Sequence, residues 1–293
     1  MVTSVFSIHK TINSGATMQD TNPLKQYFRR PAVFLKLPSG GKGYPQGTID
    51  LPENGEIPIY PMTAIDEITS KTPDALFNGT ALNDLMKSCV PNIKDPWAIP
   101  GIDLNPLLVA IRAATHGGLM EVTSVCPSCN EDSKFDVNLS GILASFSPGD
   151  YEVPLIISED VLIKFKSMSY ADINKASIAQ FQLQKTLSGY MTIEDEDERQ
   201  TKTMKLLDEI NEISFKVISD SIEYVKVPGA TVFEKEYIIE YLRSCDRNAY
   251  TKIREYSVKL RESTDVKPLE MKCTHCSHEY EQPFNVNPVD FFA

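Results

Sequence analysis

Apolar and polar positions along the chain fall into distinct textures. Residues 1–30 are polar, rich in Asn, Thr, Ser and Gln, and lack an apolar period, which predicts an extended or disordered arm. From Ala32 onward, short apolar runs alternate with turn signals. Ala32-Val-Phe-Leu-Lys-Leu37 ends in Pro38-Ser-Gly-Gly-Lys-Gly43, and Ile57 to Tyr60 is interrupted by proline; both predict short strands or edge segments. Thr63 is placed to cap a helix, with Asp66 three residues on as in a capping box. Asp74 opens a second helical pattern through Leu76, Phe77, Leu82, Leu85, Met86 and Val90. Asp103 or Asn105 caps a third, with Pro106 in its first turn and Leu107, Leu108, Ile111 and Ala114 on one face, and Gly117-Gly118 stops it. Glu121 to Val125 reads as a strand and Phe135 to Leu139 as its return, a hairpin with Cys126-Pro-Ser-Cys129 at the tip.

Between Tyr151 and about Val266 the texture changes. Strands are predicted at Glu152 to Ile157 and Val161 to Lys166, followed by amphipathic helices at Tyr170 to Leu187, Thr201 to Tyr224, Glu234 to Ser244 and Asp246 to Leu260. The acidic run Glu194-Asp-Glu-Asp-Glu198 is a solvated loop or a helix start favoured by the helix dipole; as a cation site it lacks the ligand spacing and glycine of an EF-hand loop. After Pro268 strand texture returns in Leu269-Glu-Met-Lys-Cys273-Thr-His-Cys276 and again from Tyr280 to Val286.

The candidate chemistry is in the cysteines. Of six, four form two CxxC pairs, Cys126/Cys129 and Cys273/Cys276. A two-residue gap turns both thiolates of a pair toward one point, and two such knuckles supply the four sulfurs that structural zinc prefers. The pairs stand far apart in sequence, yet their surroundings match. Each follows a strand, and Phe135-Asp-Val-Asn138 follows the first as Phe284-Asn-Val-Asn287 follows the second. This predicts one shared zinc, bound by Cys126, Cys129, Cys273 and Cys276 in a zinc ribbon whose hairpins come from distant parts of the chain. Two reduced pairs without metal and a redox role are the alternatives; the latter is disfavoured because neither pair opens a helix in a βαβ unit, where a thiolate gains its low pKa. His275 and His278 could replace a sulfur but read as bystanders, and Cys89 and Cys245 read as small buried hydrophobes on helix faces.

The fold class expected is therefore α+β: short strands and helices completed by a split zinc ribbon, with an inserted helical subdomain. Its parts are an extended arm over 1–31, a core over 32–145 and 268–293, and a mainly helical insertion over 146–267.

Composition narrows the function. The 293 residues are 42% hydrophobic and 24% charged, which excludes wholesale disorder. The longest apolar runs, Pro106 to Ile111 and Val153 to Ile157, fall far short of the ~18 residues of a membrane span. The first residues show no basic stretch followed by an apolar one, so no secretory leader is expected and synthesis is expected in the cytosol. A net charge of −11 opposes nonspecific binding to nucleic acid. The first fifty residues differ, with Lys10, Lys25, Arg29, Arg30, Lys36 and Lys42 against Asp20 and Asp50. They read as a solvated tail or as an arm laid on an acidic neighbour.

Enzyme signatures are missing from the sequence. Pro38-Ser-Gly-Gly-Lys-Gly43 lacks the following helix and the Ser/Thr of a phosphate-binding loop, and neither a Gly-x-Ser-x-Gly elbow nor a His-Glu-x-x-His pair occurs. His116, at a helix C-terminus, is accounted for by the dipole. No catalytic residue and no small-molecule substrate are expected.

Specific segments point to a family. The order of Phe34-Leu-Lys-Leu-Pro-Ser-Gly-Gly-Lys-Gly43, Ile57-Pro-Ile-Tyr-Pro-Met-Thr-Ala-Ile-Asp-Glu67, Leu76-Phe-Asn-Gly-Thr80, Arg112 to Gly118 and Cys126-Pro-Ser-Cys129 resembles the baseplate hub proteins of T-even-type contractile-tail bacteriophages, as does the final Phe284 to Phe292 segment. The resemblance covers 32–145 and, more loosely, 150–293; the basic arm stands outside it. It implies a structural or assembly role in the hub of a phage tail. It further implies other baseplate and tail proteins as partners, assembly in the host cytoplasm, and a final place in the virion baseplate. The rival is a zinc-ribbon adaptor for nucleic-acid transactions, opposed by the net charge and by Glu121, Glu131, Asp132, Glu270 and Glu279 around the cysteines. If the chain is a hub component, Phe291 and Phe292 are the aromatics the sequence offers as an interface, the alternative being that they fold back as core.

Overall fold

Residues 22–72, 78–284, 286 and 291 are described by the computed structural model, and the chain divides into two units, Met1–Arg30 and Pro31–Ala293. In the first unit the sequence predicts only an extended arm, yet Pro23–Tyr27 forms a 3-10 turn. The side chain of Asn22 accepts from the Leu24 amide, and Pro23 supplies the fixed φ of a first helical residue, so a local cap suffices to order this stretch.

The second unit is α+β, with eight α-helices and four small antiparallel sheets among the described residues. β1 (Val33–Lys36) pairs with β2 (Glu56–Ile59), burying Leu35, Ile57 and Ile59 on one face. α1 (Ala64–Ser70) carries the expected capping box. The Asp66 amide donates to Thr63 Oγ1 at 3.2 Å, and the Thr63 amide donates back to Asp66 Oδ2 at 2.7 Å. α2 (Thr80–Cys89) buries Leu82, Leu85, Met86 and Cys89 in line with the predicted pattern; the expected opening at Asp74, with Leu76 and Phe77, lies outside the described residues.

α3 (Gly101–His116) runs through the centre of the core, buried all round from Pro106 to Ile111. It corrects the predicted start. Neither Asp103 nor Asn105 caps it; Pro100 does, and Pro106 lies inside the helix. The boundary is set from a distance: the Gly101 amide donates to Met168 O at 2.8 Å and the Tyr170 amide to Ile99 O at 2.7 Å, with Pro100 bridged to Ser169. These bonds hold Ile99 and Pro100 out of helical geometry, with ψ of 124° and 138°, so the helix begins at Gly101. The predicted stop holds: Gly117 has φ 93°, a left-handed value that favours glycine.

Asp103 is instead a buried clamp on the glycine-rich loop after β1. It accepts from the Ser39 amide at 2.9 Å and from Ser39 Oγ at 2.5 Å. Burial raises its pKa from 3.8 to about 6 against the opposing pull of the Ser39 hydrogen bonds. The folded state therefore keeps a proton that the unfolded chain has released, so stability falls as pH rises from 3.8 to about 6 and the loss is complete above that. At ~1.4 kcal/mol per unit, the slope amounts to about 3 kcal/mol at most. Asp103→Asn is expected to flatten it, read as the melting temperature of both proteins between pH 4 and 7.

β3 (Leu119–Val125) and β4 (Asp132–Asn138) form the first predicted hairpin in continuous register. α4 (Leu139–Ser145), absent from the sequence reading, follows at once, its first amides capped by the Asn138 side chain. The strand thus ends one residue before the Leu139 expected, because Asn138 serves the helix.

A four-stranded sheet comes next, in the order β5 (Leu155–Ser158), β6 (Val161–Phe165), β7 (Ile222–Val227), β8 (Ala230–Val232). Between β6 and β7 stand α5 (Tyr170–Tyr190) and α6 (Glu196–Ser221); α7 (Lys235–Ser244) and α8 (Arg247–Glu262) follow β8. Asp195 caps α6 and Glu196, Asp197 and Glu198 fill its first turn, the helix-start reading of the acidic run. The predicted helix over Thr201 to Tyr224 is too long. Ile222 and Val225 stand three apart, which fits a helix as well as a strand, and pairing of Val225 with Ile163 and of Ile222 with Phe165 decides for the strand. Cys245 closes α7 half-buried and is not on a helix face, whereas Cys89 is fully buried as expected.

Two hydrophobic clusters result. One gathers residues of 33–146 with Tyr170, Leu269, Phe284 and Phe291; the other lies wholly within 151–260, around Ile163, Phe165, Ile222 and Ile253. Tyr170 joins them. It stacks on Trp97 with ring centroids 5.0 Å apart and donates its hydroxyl to Gly79 O at 3.0 Å. A Cβ on Gly149 would come within 2.6 Å of Thr264, so the two ends of the stretch that carries the second cluster meet. Among the described residues no helix is long and apolar enough to cross a membrane.

Phe291 departs from the interface reading. It is 2% exposed, packed edge-on to Phe284 with the Arg112 guanidinium 5.3 Å above its ring. Arg112 also donates to the Phe291 carbonyl. Apolar area outweighs the terminal position, and the ring is core; Phe292 lies outside the described residues.

Candidate metal centre

β9 (Leu269–Lys272) and β10 (Glu279–Gln282) form the second hairpin, and each hairpin carries its CxxC pair in the connecting turn. The two turns are built alike. In the first, the Cys126 amide donates to Glu131 O at 3.0 Å and the Asn130 amide to Cys126 O at 2.9 Å. In the second, the Cys273 amide donates to His278 O at 2.9 Å and the Ser277 amide to Cys273 O at 3.0 Å. Asn130 and Ser277, each next after the second cysteine, have φ of 57° and 58°. A left-handed residue at this point folds the chain back so that both sulfurs of a pair face the same way. Neither residue is glycine; asparagine accepts the left-handed region most readily.

The two knuckles face each other. Cys126 Sγ lies 3.7 Å from Cys276 Sγ and Cys129 Sγ lies 3.6 Å from Cys273 Sγ, with all four sulfurs within 4.8 Å of one another. These short contacts join opposite pairs. In a tetrahedron of four sulfurs at ~2.3 Å from a central ion, sulfurs stand roughly 3.8 Å apart, so the donor set and its spacing fit a four-sulfur metal site. A disulfide, at about 2.05 Å, is far shorter than either contact. Four cysteines can therefore hold a metal ion here.

The charge state of the cluster is uneven. The Cys276 amide, with that of His275, holds the Cys273 thiol down to about 6, and the His275 amide lies 3.4 Å from its sulfur. Cys129 is pushed up to about 12: a hydrogen bond from the Glu131 backbone amide lowers it, but burial and hydrogen bonding to Cys276, Cys273 and Cys126 outweigh that. Four thiols this close cannot all ionise by themselves. A cation among them removes the conflict, which is the electrostatic sense of the arrangement.

Hydroxyl groups lock the hairpins across the cluster. Tyr280 donates to Ser124 Oγ at 3.0 Å, and Ser124 donates to Gln282 Oε1 at 2.9 Å. Ser133 Oγ lies 3.0 Å from Thr274 Oγ1. Ser124 and Ser133, paired across β3 and β4, are buried at 3% exposure. The sequence reading missed these groups. Their signal was faint: a serine two residues before the first cysteine, where a half-buried strand would place an apolar side chain. His278 stacks on Tyr280 with ring centroids 6.2 Å apart, and neither histidine joins the four-sulfur set.

Over residues 32–293 the chain matches the family described as T4 bacteriophage base plate protein. It belongs to that family. No curated protein and no solved structure matches it. The chain is thus a structural component of a phage baseplate, and other phage tail proteins are its partners.

Proposed function

We propose that this baseplate protein is a component of the baseplate hub, working by protein-protein binding, with Cys126, Cys129, Cys273 and Cys276 holding one structural zinc. The hub station is supported by the segments Phe34 to Gly43, Ile57 to Glu67 and Arg112 to Gly118, which resemble hub proteins of contractile tails. The binding mode is supported by one observation above all. α1 is turned inside out: Ile65 and Ile68 are 74% and 70% exposed, while Asp66 and Glu67 are half-buried and Ser70 is buried. Two β-unbranched charges could have taken those outward positions at no cost to the fold, whereas exposed isoleucines are suited to a partner's surface.

A zinc with four thiolate ligands has no open coordination position, so its work is to hold the hairpins together, and no catalysis is assigned. On this reading residues 1–31 are an arm, 32–145 with 268–293 form the core, and 146–267 is an insertion whose ends the metal ties. The second hydrophobic cluster, confined to 151–260, supports that division. The protein would assemble in the host cytoplasm and stay in the tail baseplate, with no nucleic acid and no small molecule among its ligands.

Imaging of assembled tails with the chain labelled is expected to place it at the hub, and the purified protein is expected to bind duplex DNA only weakly at physiological salt. Submicromolar, salt-sensitive DNA binding would favour the adaptor reading, and a peripheral label would overturn the hub station.

A further inference from the structure

A cleft of about 310 Å3 opens between β4, α4 and β9, lined by Phe135, Asp136, Val137 and Asn138 on one side and Leu269 to Met271 on the other. Successive side chains of a strand point to opposite faces, so a cleft lying on one face is lined by alternate residues. Consecutive residues line this one. It therefore runs along strand edges.

The register identifies which backbone groups it exposes. The Cys126 amide bonds to Glu131 O and the Leu139 amide to Gly118 O. By the alternation of an antiparallel ladder, Val122/Phe135 and Met120/Val137 are then hydrogen-bonded pairs, and Lys134 and Asp136 turn N–H and C=O to the other edge. Likewise the Cys273 amide bonds to His278 O, so Met271/Tyr280 pair and Glu270 turns its backbone outward. Among the described residues β4 pairs only with β3, and β9 only with β10. Two open strand edges thus border one cleft.

Its chemistry is specific. Val137, Ile142 and Met271 are buried beneath it. The nearby lysines are engaged across their own hairpins, Lys134 with Glu121 at 2.7 Å and Lys272 with Glu279 at 3.1 Å. Asp136 and Glu270 remain exposed along it, with no salt bridge among the described residues. An open edge binds extended backbone, and two carboxylates select positive charge.

We infer that this cleft is a strand-addition site that receives an extended, basic segment of a neighbouring baseplate protein. The inference rests on the protein-binding role proposed above and gives that role a place on the surface. It also assigns the two hairpins a second task, because the four-cysteine cluster that joins them sets the spacing of the two edges.

Asp136→Pro and Glu270→Pro remove outward amides that neither ladder uses, positions where an edge strand tolerates proline. Asp136→Lys reverses the charge alone. Each variant, checked for melting temperature and metal content, is expected to enter baseplates at least tenfold less than the parent chain when supplied to phage lacking it. In the unmodified protein, amide hydrogen exchange at Asp136 and Glu270 is expected to slow at least tenfold on going from the free chain to purified baseplates. Folded proline variants that incorporate normally, or edge amides that exchange equally fast in baseplates, would overturn the site. The exchange measurement decides if a proline variant fails to fold. Protection already present in the concentrated free chain would identify a second copy as the occupant and overturn the assignment to a neighbour. Absence of the parent chain from purified baseplates would instead sink the role on which the inference rests.

Discussion

Cys126→Ser and Cys273→Ser are expected to lower the melting temperature by the same large amount, on the order of 10 °C or more, although 146 positions separate the two residues. Their sulfurs belong to one cluster within 4.8 Å, so on the proposed zinc reading loss of either would remove a ligand from the same ion. Metal analysis is expected to give about one zinc per chain in the parent and much less in either variant. Structural zinc contributes its binding free energy to folding, ~10–16 kcal/mol apparent in small finger peptides, and a chain of this size needs only part of that to show a clear loss. Chelation is expected to reproduce the effect and to loosen 146–267 first, because the ends of that stretch lead to the two knuckles. Cys245→Ser, outside the cluster, is expected to leave zinc content unchanged. Two zincs per chain, or melting losses confined to one pair of cysteines, would contradict a shared ion.

Phe291→Ala is expected to cost about 3–5 kcal/mol, roughly 6–20 °C in melting temperature, as truncation of a buried aromatic does. The ring is 2% exposed, packs against Phe284 and lies under Arg112, whose guanidinium loses water to sit there and has its pKa lowered by that burial. Removing the ring leaves a cavity and takes away the face over which the cation rests. Phe291→Leu keeps most of the volume and is expected to lose less than half as much. A Phe291→Ala protein that melts like the parent but fails to enter tails would restore the interface role that the terminal position suggests.

Much of this protein is legible in its sequence where a signal is local. The Thr63 and Asp66 capping box, the glycine stop after α3, the acidic start of α6 and the positions of β1, β2, β3 and β6 all depend on residues within one turn or one hairpin. The gathering of Cys126, Cys129, Cys273 and Cys276 was legible for a different reason. Each pair brought its own knuckle and its own following Phe-x-Val-Asn segment, so likeness between the two stood in for proximity.

Other features were decided only by tertiary contact. The first residue of α3 depends on Met168 and Tyr170, and the end of α6 on pairing of Ile222 with Phe165. Asp103 carries the residue type of a cap but became a buried clamp because Ser39 offers two donors to its carboxylate. Phe291 became core because Phe284 and Arg112 were waiting for it. In each case the local pattern allows two states of nearly equal free energy, since propensities differ by only tenths of a kcal/mol per residue. A single buried contact with a segment 50 to 180 positions away exceeds that difference, and the sequence window around the residue does not contain it.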